Sequence, residues 1–153
     1  MRASQTFQTL AVAAALLGTP IAWSQVAVTD AWARATVTGQ KATGAFMKLT
    51  AAQATRLVGA SSPAAGVVEV HEMKMEKDVM KMAAIPALDL PAGKTVELKP
   101  GGYHVMLMDL KAPLPKDGTV ALTLLFKDAK GVTMQQELKL PVLQPTPPAA
   151  MQH

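Results

Sequence analysis

Short runs of alternating apolar and polar residues, separated by turn residues, fill the chain beyond its first 25 positions and constrain the fold more than any other feature. The runs are Val26–Thr36, Ala45–Leu49, Arg56–Ala60, Val67–Glu76, Val79–Ala84, Thr95–Leu98, His104–Leu110, Thr119–Phe126 and Val132–Val142. Successive side chains of a strand point to opposite faces, so each run can bury one face and leave the other wet. Gly39, Ser61-Ser62-Pro63, Pro91-Ala92-Gly93, Pro100-Gly101-Gly102, Lys116-Asp117-Gly118 and Lys130-Gly131 fall between the runs, at the spacing a two-layered β-sandwich needs. No segment carries a sustained 3.6-residue apolar stripe with caps. The expectation is an all-β, immunoglobulin-like Greek-key β-sandwich.

Residues 1–24 have the form of a signal peptide. After Met1-Arg2 no charge occurs before Asp30, and Leu10–Leu17 is apolar throughout. Gly18 and Pro20 break the run, and Ala22-Trp23-Ser24 places small residues where a signal peptidase reads them. The apolar stretch is shorter than the roughly 20 residues that span a bilayer, so no membrane span is expected after the leader is removed. Residues 25–142 then form one domain, with a flexible Pro-rich tail over 143–153.

Composition narrows the function. The sequence has no cysteine, which removes disulfides, thiolate zinc sites, CxxC redox chemistry, a lipid-carrying lipoprotein cysteine and the thiolate of blue-copper or binuclear copper centres. Nucleic acid is not expected as a partner: the net charge of +4 is small, the lysines are scattered and Tyr103 is the only tyrosine. No nucleophile, base and orienting group occur together, so the chain does not read as an enzyme. His71-Glu72 begins like H-E-x-x-H, but position 75 is Met, and a strand sends neighbouring side chains to opposite faces.

Six of the ten methionines (Met73, Met75, Met80, Met82, Met106, Met108) and two of the three histidines (His71, His104) lie between positions 71 and 108. Any one methionine reads most simply as flexible core packing. Their phase argues otherwise, because His71, Met73 and Met75 share one strand face and His104, Met106 and Met108 share another. A two-residue turn at Lys77-Asp78 would set Met75 opposite Met80 and Met73 opposite Met82, with His71 diagonal to Met82. The two Met/His faces are then expected to meet at one end of a sandwich. Thioethers are poor ligands for Mg²⁺, Ca²⁺ or Zn²⁺ but good ones for Cu(I), and imidazole suits copper in either oxidation state.

The spacing of His71, Met82, His104 and Met106 is H-x10-M-x21-H-x-M, and it resembles the signature of the periplasmic copper(I) chaperone family often written PCuAC. The resemblance extends through Asp30–Thr36, Leu57–Ser62, Val70–Met73 and Leu98–Met108, covering nearly all of the expected domain. It implies a cupredoxin-like β-sandwich and an exposed Cu(I) site made by His71, Met82, His104 and Met106. It also implies a monomeric, periplasmic protein that hands Cu(I) on for assembly of the binuclear copper centre of cytochrome c oxidase, directly or through a Sco-type protein. Met151 and His153 in the tail are too few to suggest the second, Met- and His-rich site carried by some relatives. Two other classes fit the residues: a periplasmic copper buffer or resistance protein with no dedicated acceptor, and an exported Ig-like adhesion or assembly module whose methionines are packing.

Overall fold

A computed structural model describes residues 26–144. The expected signal peptide and the tail beyond Gln144 lie outside the described residues. The described chain is all-β: β1 (Val26–Arg34), β2 (Ala42–Ala51), β3 (Thr55–Ser61), β4 (Ala65–Glu76), β5 (Val79–Ala84), β6 (Leu88–Leu90), β7 (Thr95–Leu98), β8 (His104–Leu110), β9 (Thr119–Asp128) and β10 (Thr133–Leu143). Nine of these ten correspond to the runs read from the sequence. The addition is β6, whose Leu88 and Leu90 are buried while Asp89 is exposed. β2 begins at Ala42, ahead of the expected Ala45, and β10 continues through Leu143, one residue past the expected end of the domain.

The strands run in the order β5-β4-β8-β2-β1-β10-β9-β3-β6, with β7 also paired to β2. These strands pair antiparallel except β1 with β10, which run parallel through Ala33↔Val142 and Arg34↔Leu143. That short parallel contact joins two layers, β5-β4-β8-β2-β1 and β10-β9-β3-β6. Residues from both layers fill the space between them, among them Ala45, Met47, Leu49, Val70, Val105 and Leu107 from one and Leu57, Leu122, Leu124, Phe126 and Leu140 from the other. Burial of this apolar surface is the main force holding the layers together.

The core also fixes which side chains face out. In the middle of β4 Val70 faces the core, so Glu69, His71 and Met73 take the other face; in the first half of β8 Val105 and Leu107 face the core, so His104 and Met106 do the same. Ala45 and Met47 similarly turn Gly44 and Phe46 outward on β2, and Ala33 turns Trp32 and Arg34 outward on β1. Neighbouring strands therefore bring one continuous set of residues to the outer surface of a single layer.

Candidate metal centre

The two histidines face each other across a ladder. His71 is the register partner of His104, and their ring centroids are 5.7 Å apart at an interplanar angle of 54°. Though on the outer face, they are only 7% and 6% exposed. The Met/His faces do meet, but side by side on adjacent strands of one layer and on its outer surface, where the sequence reading expected one end of the sandwich.

Part of their cover comes from the β4–β5 hairpin. Its turn is Lys77-Asp78, as the sequence suggests, with φ of 50° and 63°, the positive values a two-residue type I′ turn requires. The register that follows is Met75↔Met80, Met73↔Met82 and His71↔Ala84, leaving Met82 diagonal to His71. Met82 extends past β4 to β8, where its Sδ lies 3.2 Å from His104 Nε2. The sulfur-bearing residue remains 49% exposed.

The nature of that contact follows from the other side of the ring. His104 Nδ1 is 3.1 Å from the Gly102 carbonyl oxygen, which can only accept, so Nδ1 carries the proton and Nε2 is a bare lone pair. Burial pushes the His104 pKa below the ordinary 6.5; the Gly102 hydrogen bond opposes the fall and the nearby His71 adds to it. The neutral form is therefore favoured at pH 7. Two lone-pair donors face one another at 3.2 Å. Metal–nitrogen and metal–sulfur bonds of about 2.0 and 2.3 Å at a tetrahedral angle separate their donors by about 3.5 Å, so the pair needs to open only slightly to grip a metal ion.

Met106 lies two residues beyond His104 on the same face, opposite Gly44 and Glu69 in the register. With His104, Met73, Arg34 and Phe46 it lines an open cleft of about 260 Å³. Of the four residues singled out by spacing, His71, His104 and Met82 are in mutual proximity, and Met106 is placed beside His104 along its strand. Met73, which is not one of those four, lies opposite Met82 and shares the cleft.

Four neighbours carry no signal in the His/Met pattern. Phe46 stands 6.3 Å from the His104 ring and 4.7 Å from Trp32, and Arg34 sits over Phe46 at 5.7 Å. They back the site with an aromatic wall. Glu69 is the fourth, with Oε2 2.8 Å from His71 Nε2. On the far side of the His71 ring, Nδ1 is buried and has no hydrogen-bond partner among the described residues.

Among the described residues, no three His, Cys, Asp or Glu side chains form a metal-binding group. The side chains that the facing strands bring together here are imidazole and thioether. That donor set suits a soft monovalent ion and disfavours Mg²⁺, Ca²⁺ and Zn²⁺.

The LpqE-like family model, which carries a lipoprotein description, matches residues 26–138. The chain belongs to this family. A Leifsonia xyli subsp. xyli protein with a lipoprotein name is 38% identical over 104 residues, 67% of this chain and 63% of that protein; the chain thus spans less than two thirds of that relative's length. None of the 153 residues is cysteine, so the residue that carries lipid in such proteins is not among them. The apo PCuAC domain from PmoF1 has the same fold, with a TM-score of 0.64 at 22% identity, over 80% of this chain and 96% of that domain. The solution structure of Cu(I)-DR1885 from Deinococcus radiodurans is 35% identical, with a TM-score of 0.55, over 76% of this chain and 78% of that protein. Family and fold together place the chain among the PCuAC proteins, in agreement with the resemblance read from its residues, and the cupredoxin-like β-sandwich is the fold observed.

Proposed function

We propose that this protein binds Cu(I) through His71, Met82, His104 and Met106 and passes it to an acceptor protein. The observation that carries the reading is the His104 Nε2 lone pair facing Met82 Sδ at 3.2 Å, within a group that offers a metal only imidazole and thioether donors. Such a set is neutral, prefers Cu(I), and contains no thiolate for an oxidising compartment to convert into a disulfide. The relative DR1885, named above in its Cu(I) form, supports the same metal.

Exposure supports delivery over permanent retention. Met82 is 49% exposed, so an incoming donor can displace a weakly held thioether while the buried histidines still hold the ion. Ligand exchange then proceeds without release of free copper. The protein itself is a binding and delivery protein and catalyses no bond-making step. The lipoprotein description of the family implies export, and with the leader over residues 1–24 it supports a periplasmic site of action. The acceptor we propose is the binuclear copper centre of cytochrome c oxidase, reached directly or through a Sco-type thiol protein; thiolate donors there bind Cu(I) more strongly than thioethers and give transfer its direction.

A transfer assay tests this. Cu(I)-loaded protein is mixed anaerobically with the apo copper-centre domain of an oxidase subunit, or with an apo Sco-type protein, and copper is measured in each after separation. Movement of about one copper to either acceptor is expected. Copper that stays with the donor in both mixtures contradicts delivery and leaves a buffering role.

A further inference from the structure

Glu69 has no place in the donor set, yet it touches one of its members. It lies two residues before His71 on the outer face of β4, and its carboxylate Oε2 is 2.8 Å from His71 Nε2. The side chain is 44% exposed, and a carboxylate oxygen set against a ring nitrogen at this distance is the acceptor. His71 Nε2 must then be the protonated nitrogen. Its Nδ1 is buried without a hydrogen-bond partner among the described residues: a proton there would be a stranded donor, whereas a lone pair there is a site for a Lewis acid. On the facing ring the Gly102 carbonyl imposes the opposite arrangement, protonated Nδ1 and free Nε2.

We propose that Glu69 is a positioning residue of the copper site, holding His71 in the Nε2–H tautomer so that His71 offers copper Nδ1 while His104 offers Nε2. The inference rests on the copper reading above for its metal and on the two ring environments for its geometry. A carboxylate behind a metal-binding imidazole fixes the ring and increases its basicity. Here it also places one negative charge beside a donor set that has none, which favours retention of a monovalent cation. Glu69 is also the register partner of Met106, so the same carboxylate borders a second proposed donor.

The test combines two readouts on the full exported chain. Two-bond ¹H–¹⁵N spectra of the imidazoles at about pH 8, where histidine is neutral, report each tautomer without any metal. Cu(I) affinity is measured in parallel by competition with a chromogenic chelator. Wild type is expected to show His71 as Nε2–H and His104 as Nδ1–H. Glu69→Gln keeps an acceptor oxygen, so it should retain the His71 tautomer and lose a few-fold in affinity; Glu69→Ala should mix the His71 tautomers, leave His104 unchanged and lose about 10- to 100-fold. A His71 found as Nδ1–H in wild type overturns the proposal, as does a Glu69→Ala protein with unchanged His71 tautomer and affinity. Failure of wild type to bind Cu(I) at all would refute the copper reading, while the metal-free spectra would still decide whether Glu69 sets the tautomer.

Discussion

His104 and Met82 touch although their strands are not neighbours: β4 lies between β8 and β5, and the Met82 side chain crosses it to bring Sδ within 3.2 Å of His104 Nε2. The contact joins a rigid, buried donor to a flexible, exposed one. Most consequences of the proposed function can be drawn from that asymmetry.

Met82→Leu preserves volume and apolar character but removes the sulfur. The apo protein should change in stability by less than about 1.5 kcal/mol, because the cover over the histidines is retained. Cu(I) affinity should fall about tenfold or more, by less than in His104→Ala, since imidazole remains. Chemical denaturation and chelator competition on the same samples separate the two effects.

The lowered pKa of His104 makes stability depend on pH. Burial depresses the folded-state value below the 6.5 of the free side chain, so the unfolded chain binds this proton more readily than the folded one. Stability is therefore fully present above about pH 6.5 and is lost as pH falls through the lowered folded value. Urea midpoints of the apo protein should decrease between about pH 7 and pH 5, and His104→Gln should flatten that part of the dependence. Cu(I) should oppose the loss, because metal and proton compete for the same lone pair.

Gly44 protects the aromatic wall. A Cβ at this position would lie 2.9 Å from Phe46 Cζ, and Phe46 is packed between Trp32 and His104. Gly44→Ala must move the Phe46 ring, so it should cost about 1–3 kcal/mol and weaken Cu(I) binding by disturbing His104. Gly59→Ala, whose added methyl meets only Leu125 Cδ1 at 3.5 Å, is the control and should leave Cu(I) affinity unchanged. Thermal melts and Cu(I) competition on both variants provide the check.

The strand pattern, the Lys77-Asp78 turn and the phase of the histidines with the methionines were all legible in the sequence, because each depends on neighbours a few residues apart. β6 was not: three residues between Pro86 and Pro91 are too short to display alternation. Phe46 was equally hidden, since Ala45, Phe46 and Met47 are all buried and a continuous apolar triplet does not reveal which member faces the core. Trp32 and Arg34 join the site only through the pairing of β1 with β2, a long-range order no local spacing encodes. The reach of Met82 over an intervening strand belongs to the same class. Glu69, by contrast, two residues before His71 on one strand face, lay within reach of the same phase argument but outside a search confined to His and Met.

Oxidation offers an independent view of the sulfurs. Peroxide converts accessible methionine to the sulfoxide, which binds soft metals poorly. Met75, Met80 and Met82 are 61%, 46% and 49% exposed, so all three should oxidise in the apo protein. Cu(I) should protect Met82 and Met106 and leave Met75 and Met80 reactive, making the hairpin tip an internal control. Peptide mass spectrometry before and after loading reads the pattern; equal oxidation of Met82 with and without copper would argue against its ligation.

The most direct test of the central claim is an anaerobic Cu(I) titration of the mature protein against a chromogenic chelator, with His104→Ala and Met106→Ala in parallel and folding followed by circular dichroism. The account predicts one tight equivalent in wild type, its loss in folded His104→Ala and a weaker site in folded Met106→Ala. Wild-type protein that takes no copper from the chelator would contradict it, and would return the methionines to packing in an exported β-sandwich.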